Sequence, residues 1–202
     1  MSKRPCKEEI KPELDEKVSV LYHASPIQGL TQLLPRVGTH GHAWVYATPN
    51  LVIASLFLGR LGGDLTCRVG TVGGHPYVRE RFIGAFDLRY DTESASLYQL
   101  SAAGFVPGQT SWKQDWVCEQ PVQPLQEITI DNVRSYLLGL VDAGRLALYR
   151  CDDASTSAEA DADVLPIFVK LHARGGNKIL AHVSRYYPHL VSRMNQIIAD
   201  QK

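Results

Sequence analysis

Val18-Ser19-Val20-Leu21-Tyr22-His23-Ala24-Ser25-Pro26 is the first apolar stretch of a 202-residue chain, and its reading decides the fold. Residues 18–22 form a β-rich run that ends at His23, and Ser25-Pro26 signals a turn. A second strand, Ala43-Trp44-Val45-Tyr46-Ala47, follows the Gly/His-rich loop at 38–42. Thr48-Pro49-Asn50 then starts a helix. Thr48 caps it, and Pro49 suits the first turn because its missing N–H has no intrahelical partner there. The helix, residues 50–58, is apolar nearly all round and should be buried. Gly59 and Gly62-Gly63 end it.

Beyond that helix, short β-like runs at 65–72, 82–88, 96–100 and 116–118 are broken by Gly, Pro and Ser, which suggests a mainly antiparallel sheet and not repeated βαβ units. Residues 127–130 read as another strand. Asp131 caps a helix at 132–141, Gly144 stops it, and 145–150 alternates like a strand. These elements make an α+β domain spanning residues 18–151.

The flanks differ in charge. Residues 2–17 carry five bases and five acids with few apolar side chains, and 1–17 reads as a charged tail. Residues 152–163 hold five acids and no base, so 152–164 reads as an acidic linker or loop. Residues 165–202 are helical and basic: Lys170, Arg174, Lys178, Arg185, Arg193 and Lys202 face Asp200 alone. Pro188 divides this segment. Leu190, Val191, Met194, Ile197 and Ile198 share one helix face, which packs on the core by default or mediates a homodimer, with nucleic-acid contact by the basic side as a further alternative.

The 21 basic and 21 acidic residues of the whole chain sum to zero net charge, giving no overall electrostatic reason to expect nucleic acid or a membrane surface as partner. The longest apolar run is far shorter than the roughly 20 residues that span a bilayer, and residues 2–17 lack a signal peptide's apolar stretch. A cytoplasmic protein is expected. Cys6, Cys67, Cys118 and Cys151 are widely spaced, so reduced thiols are expected in place of a zinc site or disulfides. His40-Gly41-His42 has no carboxylate or cysteine near at ligand spacing, so no metal is expected.

Three segments could carry chemistry. His23 is followed by small residues at a strand end, where a rigid scaffold best holds functional side chains. Its ordinary alternative is a structural histidine bonded to a neighbouring carbonyl. Tyr46, on a strand just before the buried helix, could stack a planar ligand or simply pack in the core. Asp115 and Glu119 bracket Trp116-Val117-Cys118, where they could steer a cation or hydrogen-bond sugar hydroxyls, or lie as solvated acids beside an edge strand.

Taken together, Tyr22-His23-Ala24-Ser25, Val45-Tyr46-Ala47-Thr48 and the acidic strand Asp115-Trp116-Val117-Cys118-Glu119 resemble the ADP-ribosyltransferase-like superfamily. The nearest type is its His-Tyr-Glu class. Small bacterial proteins of unassigned role share a similar tyrosine–histidine–small–Ser-Pro stretch and a later Pro-Val-x-Pro, here Pro121-Val122-Gln123-Pro124. The resemblance covers residues 18–150 and implies a split, mainly antiparallel sheet with short helices, to which the C-terminal helical segment is added.

It also implies NAD as substrate and transfer of ADP-ribose to an acceptor that the sequence does not identify (protein, nucleic acid or small molecule), or a catalytically degenerate relative. His23 would hold the nicotinamide ribose. The Ala24 backbone would hold the carboxamide where the family commonly has glycine, with Ser25 and Thr48 beside it. Tyr46 would stack on nicotinamide. The family glutamate falls on Asp115, one methylene shorter, or on Glu119, further along the strand. An RNA 2'-phosphotransferase-like enzyme using Arg36, Arg60, Arg68 and the basic C-terminal helices on phosphates is the alternative within the superfamily, and a non-enzymatic interaction module is the alternative outside it.

Overall fold

A computed structural model describes residues 18–37, 41–59, 65–91, 94–151 and 158–200. The charged tail at 1–17, the first half of the acidic segment (152–157), Cys6, His40, Arg60 and Gly62-Gly63 lie outside the described residues. The chain is mixed α+β, with antiparallel strand pairs and short helices.

Three strands form the first sheet: β1 (Val20–Ser25), β6 (Ala95–Ser101) and β9 (Gln126–Ile130), in the order β1-β6-β9. A second sheet runs β2-β3-β8-β7, from β2 (Arg36–Val37), β3 (Ala43–Ala47), β8 (Trp116–Cys118) and β7 (Val106–Pro107). One bridge ties the two sheets together. Tyr22 N–H donates to Thr48 O at 2.8 Å, and Thr48 N–H donates back to Tyr22 O at 3.0 Å. A third sheet, β10-β5-β4, pairs β4 (Cys67–Val72) antiparallel with β5 (His75–Glu80), and β5 parallel with β10 (Ala147–Tyr149).

The helix after β3 is shorter than its apolar run suggests. α1 covers Leu51–Ser55, and Asn50, not Thr48, caps it: the Asn50 carboxamide oxygen accepts from Val52 N at 2.9 Å and Ile53 N at 3.1 Å. Pro49 therefore sits before the cap. Likewise Asn132, not Asp131, caps α3 (Val133–Asp142), accepting from Ser135 N at 2.8 Å. The expected strand at 82–88 is instead the helix α2 (Ala85–Arg89), and the expected break after residue 72 is a hairpin leading into β5.

Cys67, Val78, Phe86, Tyr90, Leu97, Val133 and Leu137 are fully buried in one core, filled from α1, α2, α3 and strands β4, β5, β6 and β9. Leu21, Val45, Ala47, Tyr98, Leu100 and Cys118 form a second core between β1, β3, β6 and β8. The third lies among the C-terminal helices α4 (Ala158–Gly175), α5 (Asn177–Tyr186) and α6 (Val191–Asp200). Because α4 begins at Ala158, the expected acidic linker at 152–164 is helical through its second half. Leu190 and Met194 from the expected stripe are buried in this third core, with Val191, Ile197 and Ile198 packed against it. Leu65 and Phe82 of the preceding domain join the same cluster. Two side chains hold Leu65 O from this side: His182 donates from Nε2 at 3.1 Å and Tyr187 from Oη at 3.0 Å.

Among the described residues, no helix is long and apolar enough to cross a membrane.

Candidate functional site

β1, β3 and β8 run side by side, and this adjacency brings the sequence candidates together. β1 extends two residues past His23, so His23 stands inside a strand and not at its end. Strand pairing sets His23 opposite Tyr98 of β6, Tyr46 opposite Val117 of β8, and Ala47 opposite Trp116. Asp115 is the next residue along from Trp116, toward the Thr48 end of β3. Glu119 follows Cys118 at the other end.

The His23 ring packs against β3, with Nδ1 2.7 Å from Tyr46 O. A carbonyl oxygen only accepts, so Nδ1 carries the proton. Burial lowers the His23 pKa below its usual value, the Tyr46 carbonyl opposes this, and the charge of Arg36 adds to the lowering. The imidazole is therefore neutral at pH 7, with Nε2 bearing a lone pair. The bond to a neighbouring carbonyl is the structural role that histidine commonly has. Here it also fixes the tautomer, making Nε2 an acceptor for a hydroxyl.

Burial raises the pKa of the half-buried Tyr46 phenol, and the Asp115 carboxylate raises it further by its charge. The Asp115 carboxylate is held in turn by the Thr110 hydroxyl, which lies 2.8 Å from its Oδ2. Asp115 thus belongs with Tyr46. Glu119 belongs with Trp44, whose Nε1 donates to Glu119 Oε1 at 3.4 Å. Alternation along β3 puts Trp44 and Tyr46 on one face, with ring centroids 5.9 Å apart in an edge-on arrangement, and His42 stacks on Trp44 at 4.8 Å.

Ala24 offers its main chain. A strand repeats every two residues, so the N–H and C=O of Ala24 point to the same side as those of Tyr22. Tyr22 uses its pair on Thr48, the last residue bridged to β1 on that edge. The bridge is antiparallel, so Ala24, two residues beyond it, directs its own pair back along β3 toward Tyr46. Ser25 and Thr48 are buried, and their hydroxyls shape turns: Ser25 Oγ accepts from Ile27 N at 3.1 Å, and Thr48 Oγ1 from Asn50 N at 3.4 Å.

The loop after Ser25 is pinned from β6 and β9. Glu127 Oε1 accepts from Ser96 Oγ at 2.5 Å, Gly29 N at 2.8 Å and Tyr98 Oη at 3.0 Å, and Leu30 N donates to Tyr98 Oη at 3.0 Å. The Ser96 hydroxyl and the Gly29 N–H hold the Glu127 carboxyl below its ordinary pKa. Sequence reasoning missed Glu127, Thr110 and Trp44. Only Trp44 carried a signal, its two-residue spacing from Tyr46.

Among the described residues, no group of three His, Cys, Asp or Glu side chains could hold a metal ion. Comparison with family profiles, curated proteins and solved structures found no match for this chain.

Two partly buried histidines set an acid limit on stability. Burial also lowers the pKa of His182. An unfolded histidine takes up its proton near pH 6.5, whereas the folded His23 and His182 do so only at lower pH. Below pH 6.5 the unfolded state binds more protons, so stability falls with pH until both states are protonated. The melting temperature is expected to drop between pH 7 and pH 5, and less steeply in His23→Gln. Equal slopes in the two proteins would remove His23 from the account. The loss tied to Glu127 starts lower, below pH 4.5.

Proposed function

We propose that this protein binds NAD at the junction of β1, β3 and β8 and belongs functionally with ADP-ribosyltransferases. The Ala24 backbone pair meets the nicotinamide carboxamide, the Tyr46 ring packs on the nicotinamide, and His23 Nε2 accepts from a ribose hydroxyl. The observation that carries this reading is the direction of the Ala24 main chain toward Tyr46, beyond the Tyr22–Thr48 bridge, beside a histidine whose tautomer Tyr46 O fixes. Asp115, next to Tyr46, takes the acid's role in preference to Glu119, which sits with Trp44.

In the transfer, the bond from ribose C1′ to the nicotinamide nitrogen breaks, and nicotinamide leaves with the electron pair. A bond from an acceptor heteroatom to C1′ forms, and the acceptor's proton passes to solvent or to a carboxylate. Positive charge grows at the anomeric carbon as the leaving group departs, and a fixed carboxylate stabilises it.

The test is titration of NAD followed by tryptophan fluorescence, paired with release of nicotinamide. Saturable quenching is expected, since Trp44 packs edge-on against Tyr46. His23→Ala and Tyr46→Ala should each weaken binding about tenfold, the worth of one hydrogen bond or one stacked ring. Asp115→Ala should bind NAD normally and lose nicotinamide release about a hundredfold or more. Absence of NAD binding by the folded wild-type protein overturns the proposal. Loss of release in Glu119→Ala but not in Asp115→Ala overturns the assignment of the acid.

A further inference from the structure

The outer face of the third sheet has no place in that chemistry. Cross-strand pairs in β4 and β5 set Arg68 opposite Arg79, Gly70 opposite Tyr77 and Val72 opposite His75. In β10, Ala147 lies beside Tyr77 and Tyr149 beside Arg79. Paired residues share a face, so Arg68, Arg79, His75, Tyr77 and Tyr149 all stand on one side. Cys67, Val78 and Leu148 lie on the other, in the core. Arg68, His75, Arg79 and Tyr149 are exposed.

This surface has a definite shape. The Arg79 guanidinium lies 4.7 Å from the Tyr149 ring centroid, and the Tyr77 ring meets Tyr149 edge-on at 6.0 Å. Gly70 makes room for Tyr77, since a Cβ there would come within 3.0 Å of its ring. The hairpin closes through Gly73 and Gly74, at φ of 57° and 80°, so the turn adds no side chain to the face. No acid stands on this face of the three strands.

We infer that this sheet face binds single-stranded nucleic acid. Bases stack on an exposed tyrosine such as Tyr149 whatever their sequence, and Arg79 beside that ring meets the backbone phosphates. Both components are present in one plane, on a chain whose total charge is zero. A membrane surface would use apolar side chains to insert, and here Val72 alone is available. The site is disjoint from the NAD site and does not depend on it.

The experiment is fluorescence anisotropy of a labelled single-stranded RNA and its DNA counterpart, each about ten nucleotides long, with the full chain at low salt. Saturable binding is expected. Tyr149→Ala should weaken it roughly tenfold, in the range that one stacked base contributes, and Tyr77→Ala or Gly70→Ala should weaken it in the same direction. Arg79→Gln should flatten the log–log salt dependence by about 0.7, the share of one phosphate contact. Because Tyr149 is exposed, Tyr149→Ala should keep the wild-type melting temperature and NAD titration, so failure at one site is distinguishable from failure at the other. No binding at low salt, equal affinity for a duplex, or binding that resists both Tyr149→Ala and Arg79→Gln but falls in Arg193→Gln on α6 would overturn the inference.

Discussion

An Arg89→Ala variant is expected to lose about 3 kcal/mol of stability, the scale on which a buried charged donor leaves its partners unsatisfied. Arg89 is 2% exposed. Its Nη2 donates to Leu56 O at 2.8 Å, and its Nη1 to Cys67 O at 3.3 Å. The side chain therefore joins the residue that ends α1 to the first residue of β4. Tyr90 Oη also donates to Leu56 O, at 2.9 Å, so that carbonyl keeps one partner in the variant while the Cys67 carbonyl loses its guanidinium. The helix that follows Thr48 is thereby tied to the rest of the core. For a domain of this size the loss corresponds to roughly 10 °C in melting temperature. Arg89→Met separates the causes. It keeps most of the volume, so a loss as large as alanine's assigns the effect to the hydrogen bonds, and a small loss assigns it to packing.

Phe86→Ala should cost about as much or more, 3–5 kcal/mol by the usual cost of truncating a core aromatic. The Phe86 ring is fully buried, 4.8 Å from Tyr90, and the Arg150 guanidinium lies over it at 5.0 Å. Its backbone N–H donates to Glu80 Oε1 at 2.9 Å, so the side chain of Glu80 fixes where α2 begins. Cys67 gives a second readout for both variants. Burial pushes its thiol up to about 11, which keeps it protonated and unreactive. Site-resolved alkylation of Cys67 should be slow in the wild-type protein and rise with local opening in Phe86→Ala. An unchanged melt together with unchanged labelling would show that the ring is not a structural support.

Both residues sit on the element that the sequence disguised. Phe82-Ile83 and Phe86 look like strand material, and five helical residues are too few to show a 3.6-residue period. Gly84, at φ 77°, redirects the chain into the helix, and its glycine reads equally well as a simple break. β5 was hidden for a different reason. Pro76 suggests that a strand cannot form there, yet it lies opposite Thr71, one pair beyond the turn, where an antiparallel ladder does not need its N–H. Gly73-Gly74 between two β-branched or aromatic runs was the available hairpin signal.

Long-period signals fared better. Residues 43–47 and 116–118 are strands at the bounds expected, and α3 lies one residue from its expected range. The basic C-terminal segment is helical and divided at Pro188, where a short 3-10 turn, Pro188–Leu190, separates α5 from α6. At the site, residue types were legible and partners were not. Nothing local in the sequence tells that Thr110 holds Asp115, or that Glu127 pins the Gly29 amide across 98 positions. Such contacts depend on which strands become neighbours.

The two bonds to the Leu65 carbonyl have a consequence for synthesis. Their donors, His182 and Tyr187, lie 117 and 122 positions downstream. On a ribosome, β1 through α3 can assemble while the chain is still being made, but Leu65 and Phe82 stay uncovered until the segment around residue 187 has emerged. The third core closes only after that segment has emerged, leaving an apolar face of the nascent domain open to chaperones in the interval.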